Sequence, residues 1–153
     1  MHTIPSIQES LLRLTADLYS TDLGVRYRAC WSLAQFGPKS NRAIPELLAC
    51  LKDPFHGVRD GALLALGAIR SNPEQVVPAL AGMLRDPDWR VRQRAAMALR
   101  NFKAAAREAF PALQEAAKDS DPRVRFAAAT ALATIQAKIA RRTKAQAAEA
   151  PCS

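Results

Sequence analysis

At 153 residues, 49% of them hydrophobic and only 6 of them glycine, the sequence has the length of one ordinary domain and is neither disordered nor collagen-like. Aromatics contribute 6%, and much of the apolar content is alanine, the strongest helix former, so closely packed helices are expected rather than a large mixed sheet. No apolar run of about 18 residues occurs, which argues against a membrane span. A net charge of +8 admits nucleic acid, an anionic surface or an acidic protein as partner, according to where the cations fall.

In chain order, the first residues, Met1-His2-Thr3-Ile4-Pro5, carry neither the basic stretch nor the apolar run of a secretion signal, and a cytoplasmic chain is expected. Leu11, Leu14 and Leu18 then predict a helix over 7–19. With Asp22 as its cap, a second helix over 23–36 carries Val25, Ala29, Leu33 and Phe36 on one face. Gly37-Pro38 breaks the chain, and Ile44-Pro45, Leu47 and Leu51 predict a helix over 42–52.

Asp53-Pro54 reads as a capping aspartate before a first-turn proline, opening a helix over 55–70 with Val58, Ala62, Leu66 and Ile69. Ser71-Asn72-Pro73 breaks again, and Val77-Pro78, Leu80 and Leu84 lie on a helix over 74–85. Asp86-Pro87 repeats the cap before 88–102, with Val91, Ala95, Leu99 and Phe102. Between Phe102 and Arg107 there is no breaker, and the next helix is placed over 105–118, with Phe110-Pro111, Leu113 and Ala117. Asp121-Pro122 opens the last, 122–140, with Val124, Ala128, Leu132 and Ile135. A basic, Ala-rich tail over 141–153 is expected to fray.

These columns recur every 33 residues, as in Val25-Arg26, Val58-Arg59, Val91-Arg92 and Val124-Arg125. The expectation is an all-α fold of about four helical hairpins, eight antiparallel helices in a solenoid body over 1–140. In each of the first three periods the Val-Arg helix is followed by a proline-containing second helix, while the chain opens on an unpaired second helix, 7–19, and closes on an unpaired Val-Arg helix. At the end of the array Ile135 and Ile139 are expected to be partly uncovered, which suggests weak self-association through the last helix.

Catalytic chemistry finds no foothold. His2 and His56 have no nucleophile at a recurring spacing, and no zinc spacing or Gly-rich phosphate loop occurs. No metal, cofactor or catalytic residue is therefore assigned. Cys30 and Cys50 read as buried thiols on helices, Cys152 as incidental, and all three fit a reducing compartment. Trp31 and Trp89 fall on Val-Arg helices, where Trp31 shares a packing column with Leu64 and Met97.

The basic excess lies in residues 87–153, with a candidate basic face of Arg90, Arg94, Arg100, Lys103, Arg107 and Arg123. On the second helices, the columns turned from the apolar stripe are mildly acidic: Glu9-Arg42-Gln75-Glu108, Arg13-Glu46-Ala79-Ala112, Ala16-Ala49-Gly82-Glu115 and Asp17-Cys50-Met83-Ala116.

Residues 86–99, Asp-Pro-Asp-Trp-Arg-Val-Arg-Gln-Arg-Ala-Ala-Met-Ala-Leu, resemble the signature of HEAT repeats, most of all the short bacterial type found in phycobiliprotein lyases. Residues 53–66 and 119–132 match similarly, and 20–33 more loosely. The Thr-Pro-Leu-His of ankyrin repeats, which share the period, is absent. The resemblance implies a right-handed, armadillo-like α-solenoid with its second helices on the concave side. It also implies an Asp–Arg ladder of Asp53, Asp86 and Asp119 with Arg26, Arg59, Arg92 and Arg125, weakened where Ser20 replaces the first aspartate.

The function so implied is a non-enzymatic scaffold holding a peptide or helix of another protein in that groove. Its expected lining is Arg42, Glu46, Ala49, Gln75, Ala79, Gly82, Met83, Glu108, Ala112 and Glu115. The alternatives are a nucleic-acid or anionic-surface binder using the basic face, and a chaperone-lyase-like subunit.

Overall fold

The computed structural model describes residues 5–149, and every regular element among them is helical: eight α-helices joined by turns and three 3-10 segments, with no strand. Packing gathers these helices into two compact units, Met1–Asn72 and Pro73–Ser153.

In the first unit, α1 (Ile7–Asp17) opens with a reciprocal cap. The Ser6 N–H donates to Glu9 Oε2 at 2.7 Å and the Glu9 N–H donates to Ser6 Oγ at 3.2 Å, which satisfies two of the four orphan donors of a helix start. Helix α2 (Leu23–Phe36) packs on α1 and on α4 (His56–Ile69), and the short α3 (Ile44–Cys50) lies against α4. Leu33, Ile44, Leu47, Val58, Leu63, Leu66 and Ile69 are fully buried in this core. These residues include the columns predicted from the period, and Leu63 and Ala65 extend the buried surface of α4 beyond one stripe.

The second unit comprises α5 (Pro73–Gly82), α6 (Trp89–Phe102), α7 (Phe110–Ala116) and α8 (Pro122–Glu149). Val76, Leu80, Leu99, Leu113, Val124 and Ile135 fill its core. Ile135 is therefore not left uncovered as expected, although Ile139 remains half-buried. Helix α8 runs past the boundary placed at 140, and residues 141–148 continue it with exposed side chains. From 123 to 149 there is neither glycine nor proline, and Ala, Gln, Lys, Arg and Glu sustain a helix by propensity alone.

Two of the second helices start later than predicted. Segments 37–43 and 103–109 are 3-10 turns, and α3 and α7 begin only at Ile44 and Phe110, each directly before a proline. A proline N has no hydrogen to donate, and in the first turn of a helix that donor would have no intrahelical partner in any case, so the α ladder can start here with Ile44 and Phe110 already in α geometry.

Two of the three aspartates before prolines also do something other than expected. Asp53 and Asp86 do not cap α4 and α6; their carboxylates accept the N–H groups two residues on, Phe55 at 2.9 Å and Asp88 at 2.8 Å, closing Asx turns. Asp119 does the same with Asp121 at 2.9 Å, and the Ser20 hydroxyl with Asp22 at 3.2 Å. At α6 the cap lies two residues later, on Asp88, while Asp22 and Asp121 cap α2 and α8 as expected. Asp22 accepts from Gly24 and Val25, Asp88 from Arg90, and Asp121 from Arg123, whereas Phe55 holds that position before α4 with no capping side chain.

Each Val-Arg helix followed by a second helix stops through a left-handed residue at one register. Gly37 (φ 54°), Arg70 (φ 54°) and Lys103 (φ 53°) are 33 residues apart. The stop after Phe102, which no glycine or proline announces, is thus made by a lysine.

Candidate functional site

The periodic arginines come first, because four cations at a fixed spacing invite a phosphate-binding reading. Each sends Nη1 to two backbone carbonyls of the turn before its helix: Arg26 to Ser20 and Thr21 at 2.9 and 3.2 Å, and Arg59 to Asp53 and Pro54 at 2.8 and 3.2 Å. Arg92 reaches Asp86 and Pro87 at 2.9 and 3.1 Å, and Arg125 reaches Asp119 and Ser120 at 2.7 and 3.0 Å. Because the acceptor is a carbonyl, Ser20 serves as well as an aspartate for this bond.

Inside each unit one arginine uses the rest of its fork on an aspartate 27 residues on. Arg26 Nε and Nη2 donate to Asp53 at 2.7 and 3.1 Å, and Arg92 Nε and Nη2 donate to Asp119 at 2.8 and 2.9 Å. Both pairs are largely shielded, with side chains 16% and 8% exposed in the first and 16% and 12% in the second. Burial works against the charge on Asp53, but the Arg26 guanidinium and the Phe55 N–H outweigh it and hold the carboxyl below its ordinary range. The Arg92 hydrogen bond is the main cause of the same lowering at Asp119, with burial opposing. These arginines staple turn to helix.

Of the groove residues expected in the first unit, Arg42 and Ala49 are exposed and Glu46 is half-buried, its Oε2 buried with no hydrogen-bond donor among the described residues. In the second unit Gln75, Gly82, Glu108 and Glu115 are exposed, and Ala79, Met83 and Ala112 are half-buried. The fourth column is not an outer face: Cys50 and Ala116 are buried, because it lies about 90° from the outward direction, facing a neighbouring helix. Acidity is also weaker than the residue count suggests, since Glu115 accepts from Lys118 at 3.1 Å.

The basic face is likewise partly neutralised. Arg90 pairs with Asp88 at 3.0 Å and Arg123 with Asp121 at 2.7 Å. Between them stands Trp89, with the Arg123 guanidinium carbon 3.3 Å from its ring centroid and that of Arg90 at 5.2 Å. Two Asp-x-Arg clips thus hold their cations against one indole, a cluster that sequence reasoning, which placed Trp89 only on a Val-Arg helix, missed. The hydrogen bond to Arg123 brings the Asp121 carboxyl down to about 2. Arg94 and Arg100 are half-buried, whereas Lys103 and Arg107 are exposed, as are the paired Arg90 and Arg123.

Among other reactive groups, Cys30 and Cys50 are both buried, and their side chains hydrogen-bond to each other. That bond, with burial, pushes the Cys30 thiol up. His56, half-buried, starts α4 with its ring 4.9 Å from that of Phe55, and Trp31 packs with Tyr27 at 5.9 Å. His2 and Cys152 lie outside the described residues. Among the described residues no three His, Cys, Asp or Glu side chains gather as a metal site, and no helix is long and apolar enough to cross a membrane.

Comparison with known proteins bears on this fold. The family profile described as HEAT repeats matches residues 11–100 and 77–150. Among solved structures, an engineered protein is similar at a TM-score of 0.69 and 25% identity, over 82% of this chain and 62% of its own. A designed armadillo repeat protein in complex with the peptide (KR)4 is similar at 0.70 and 24%, over 82% and 64%. The complex of CpcE and CpcF of phycocyanin lyase from Nostoc sp. PCC7120 is similar at 0.61 and 24%, over 88% and 67%. The chain spans less than two thirds of the length of the first two. No match is found among curated proteins.

Proposed function

Because the chain belongs to the HEAT-repeat family, we propose that it is a non-catalytic interaction module that seats a peptide or helix of another protein on the outer faces of its second helices. One observation carries this reading. In the second unit the exposed Gly82 of α5 lies with two half-buried small residues, Ala79 of α5 and Ala112 of α7, with the half-buried Met83 next in sequence, and a Cβ built on Gly82 meets nothing within 4 Å. Small side chains let a partner's backbone approach closely, while Gln75, Glu108 and Glu115 around them offer a polar rim. Arg42, Glu46 and Ala49 are the corresponding contacts proposed in the first unit. The peptide bound to the designed armadillo neighbour supports an occupant of this kind.

The nucleic-acid alternative is weaker, because Arg90 and Arg123 of the basic face already hold carboxylates. Likeness to the phycocyanin lyase subunits, at 24% identity, supports the fold and supplies no residue for a reaction.

Affinity capture from an extract of the source cells tests the reading, using the parent, Gly82→Arg, and the double variant Arg90→Ala with Arg94→Ala. A protein retained by the parent and the double variant and lost from Gly82→Arg is the expected result. Capture of nucleic acid that washes off steeply with salt, and is lost in the arginine variant, would refute it.

A further inference from the structure

We infer that the first unit carries a docking slot for an acidic amphipathic peptide segment, with one leucine-sized side chain seated between α1 and residues 37–43 and flanking carboxylates on Lys39 and Arg42. This rests on the reading of the chain as a protein-binding module, and it names the chemistry of one partner segment.

The slot has a volume of about 320 Å³, within the range of cavities that hold ligands, and Leu11, Leu33 and Ala43 line it. Its two hydroxyls are already committed. Thr15 Oγ1 donates to the Leu11 carbonyl at 2.8 Å and Ser40 Oγ donates to the Leu33 carbonyl at 2.9 Å. The rest of the wall is mostly apolar, with Gln8 and Asn41 its uncharged polar members, and favours a hydrocarbon side chain over a polar one.

At the rim, Leu12 is 70% exposed. The period places it in register with Pro45, Pro78 and Pro111, so the repeat does not call for a leucine there. A large apolar side chain left in water beside an apolar slot gains by being covered.

Charge selects the occupant. Lys39 and Arg42 stand exposed at the slot, no acidic residue lines it, and neither cation has a carboxylate within ion-pair distance among the described residues. The groove on the other flank of α1 differs, since there Glu9 and Asp17 accompany Arg13 and Arg28. No aromatic side chain lines the slot either, so it offers no platform for stacking a nucleic-acid base. An apolar residue bracketed by carboxylates satisfies both parts of the site.

The test is fluorescence anisotropy of the full chain with a fluorescein-labelled peptide Glu-Asp-Leu-Leu-Glu-Asp. Two control peptides keep either the charge, with alanine for leucine, or the apolar pair, with Gln and Asn for the acids. Leu12→Glu and the double variant Lys39→Glu with Arg42→Glu change only exposed positions, and their melting by circular dichroism confirms the fold. Each control peptide and each variant should bind about tenfold more weakly than the parent pair, or worse. Gly82→Arg, in the other unit, should leave this affinity unchanged while abolishing capture of the cellular partner, so slot and module readings fail separately. Equal binding of the alanine peptide, indifference to Leu12→Glu, or no binding of the parent peptide at millimolar concentration would overturn the assignment.

Discussion

Lys103→Gly should stabilise the protein, although it replaces a good helix former with a poor one. Lys103 sits at φ 53°, ψ −130°, almost superposable on Gly37 at φ 54°, ψ −131°. That region belongs to glycine, and holding an L side chain there costs about 1–3 kcal/mol. The lysine side chain is exposed, so little packing is lost with it. Against this gain stands the extra backbone entropy of an unfolded glycine, about 0.5–1 kcal/mol. The net expectation is about 1 kcal/mol of stabilisation, or about 2–4 °C in Tm for a chain of this size.

The reciprocal change, Gly37→Lys, should destabilise by a similar amount. A Cβ on Gly37 meets nothing nearer than the Ala68 carbonyl oxygen at 3.8 Å, so conformation rather than collision sets that cost. Urea and thermal unfolding followed by circular dichroism measure both. A neutral Gly37→Lys together with a destabilised Lys103→Gly would refute the argument.

The stapling carboxylates make stability depend on acid. Asp119 is held below its ordinary value when folded, so its contribution is present above the unfolded carboxylate pKa of about 4 and is lost as pH falls through the lower folded value. Asp119→Asn should therefore cost about 1–3 kcal/mol at pH 7 and lose less further stability between pH 7 and pH 3 than the parent, by urea midpoints; identical losses would count against the pair. The buried thiols give a separate check. In a Cys152→Ser background a disulfide reagent should label neither Cys30 nor Cys50 in the native protein, even at pH 9, and both after denaturation. Rapid native labelling would contradict the burial and hydrogen bonding of this pair.

Much of the helical layout was legible because a column such as Val25, Val58, Val91 and Val124 reports the same core position four times. What misled was local chemistry with two outlets. An aspartate before a proline can cap a helix or fold back on the N–H two residues ahead; Asp121 takes the first course, whereas Asp53 and Asp86 take the second, which moves the cap position to Phe55 and Asp88. The stop at Lys103 had no composition signal at all. Only its distance of 33 residues from Arg70 and of twice that from Gly37 marks it. The extension of α8 beyond 140 was hidden for the opposite reason: a polar Ala-rich stretch reads as a frayed tail by burial and as a helix by propensity, and propensity prevailed.

Charge was the poorest guide, since a sequence counts ions without their partners. Arg90, Arg123 and Glu115 looked free and each holds an opposite charge nearby. The slot beside α1 was invisible, because residues near 8–15 and 39–43 meet only once the turn between them is built. Its one trace in the sequence is Leu12, an apolar residue in a column otherwise filled by proline. In a repeat protein the packing requirement is the same in every period and fixes the buried columns. An exposed position that breaks the pattern has no such requirement behind it. Leu12 and Gly82 are two departures of that kind, each open to solvent and each beside small or apolar neighbours, and on this argument they are where a partner reads the scaffold.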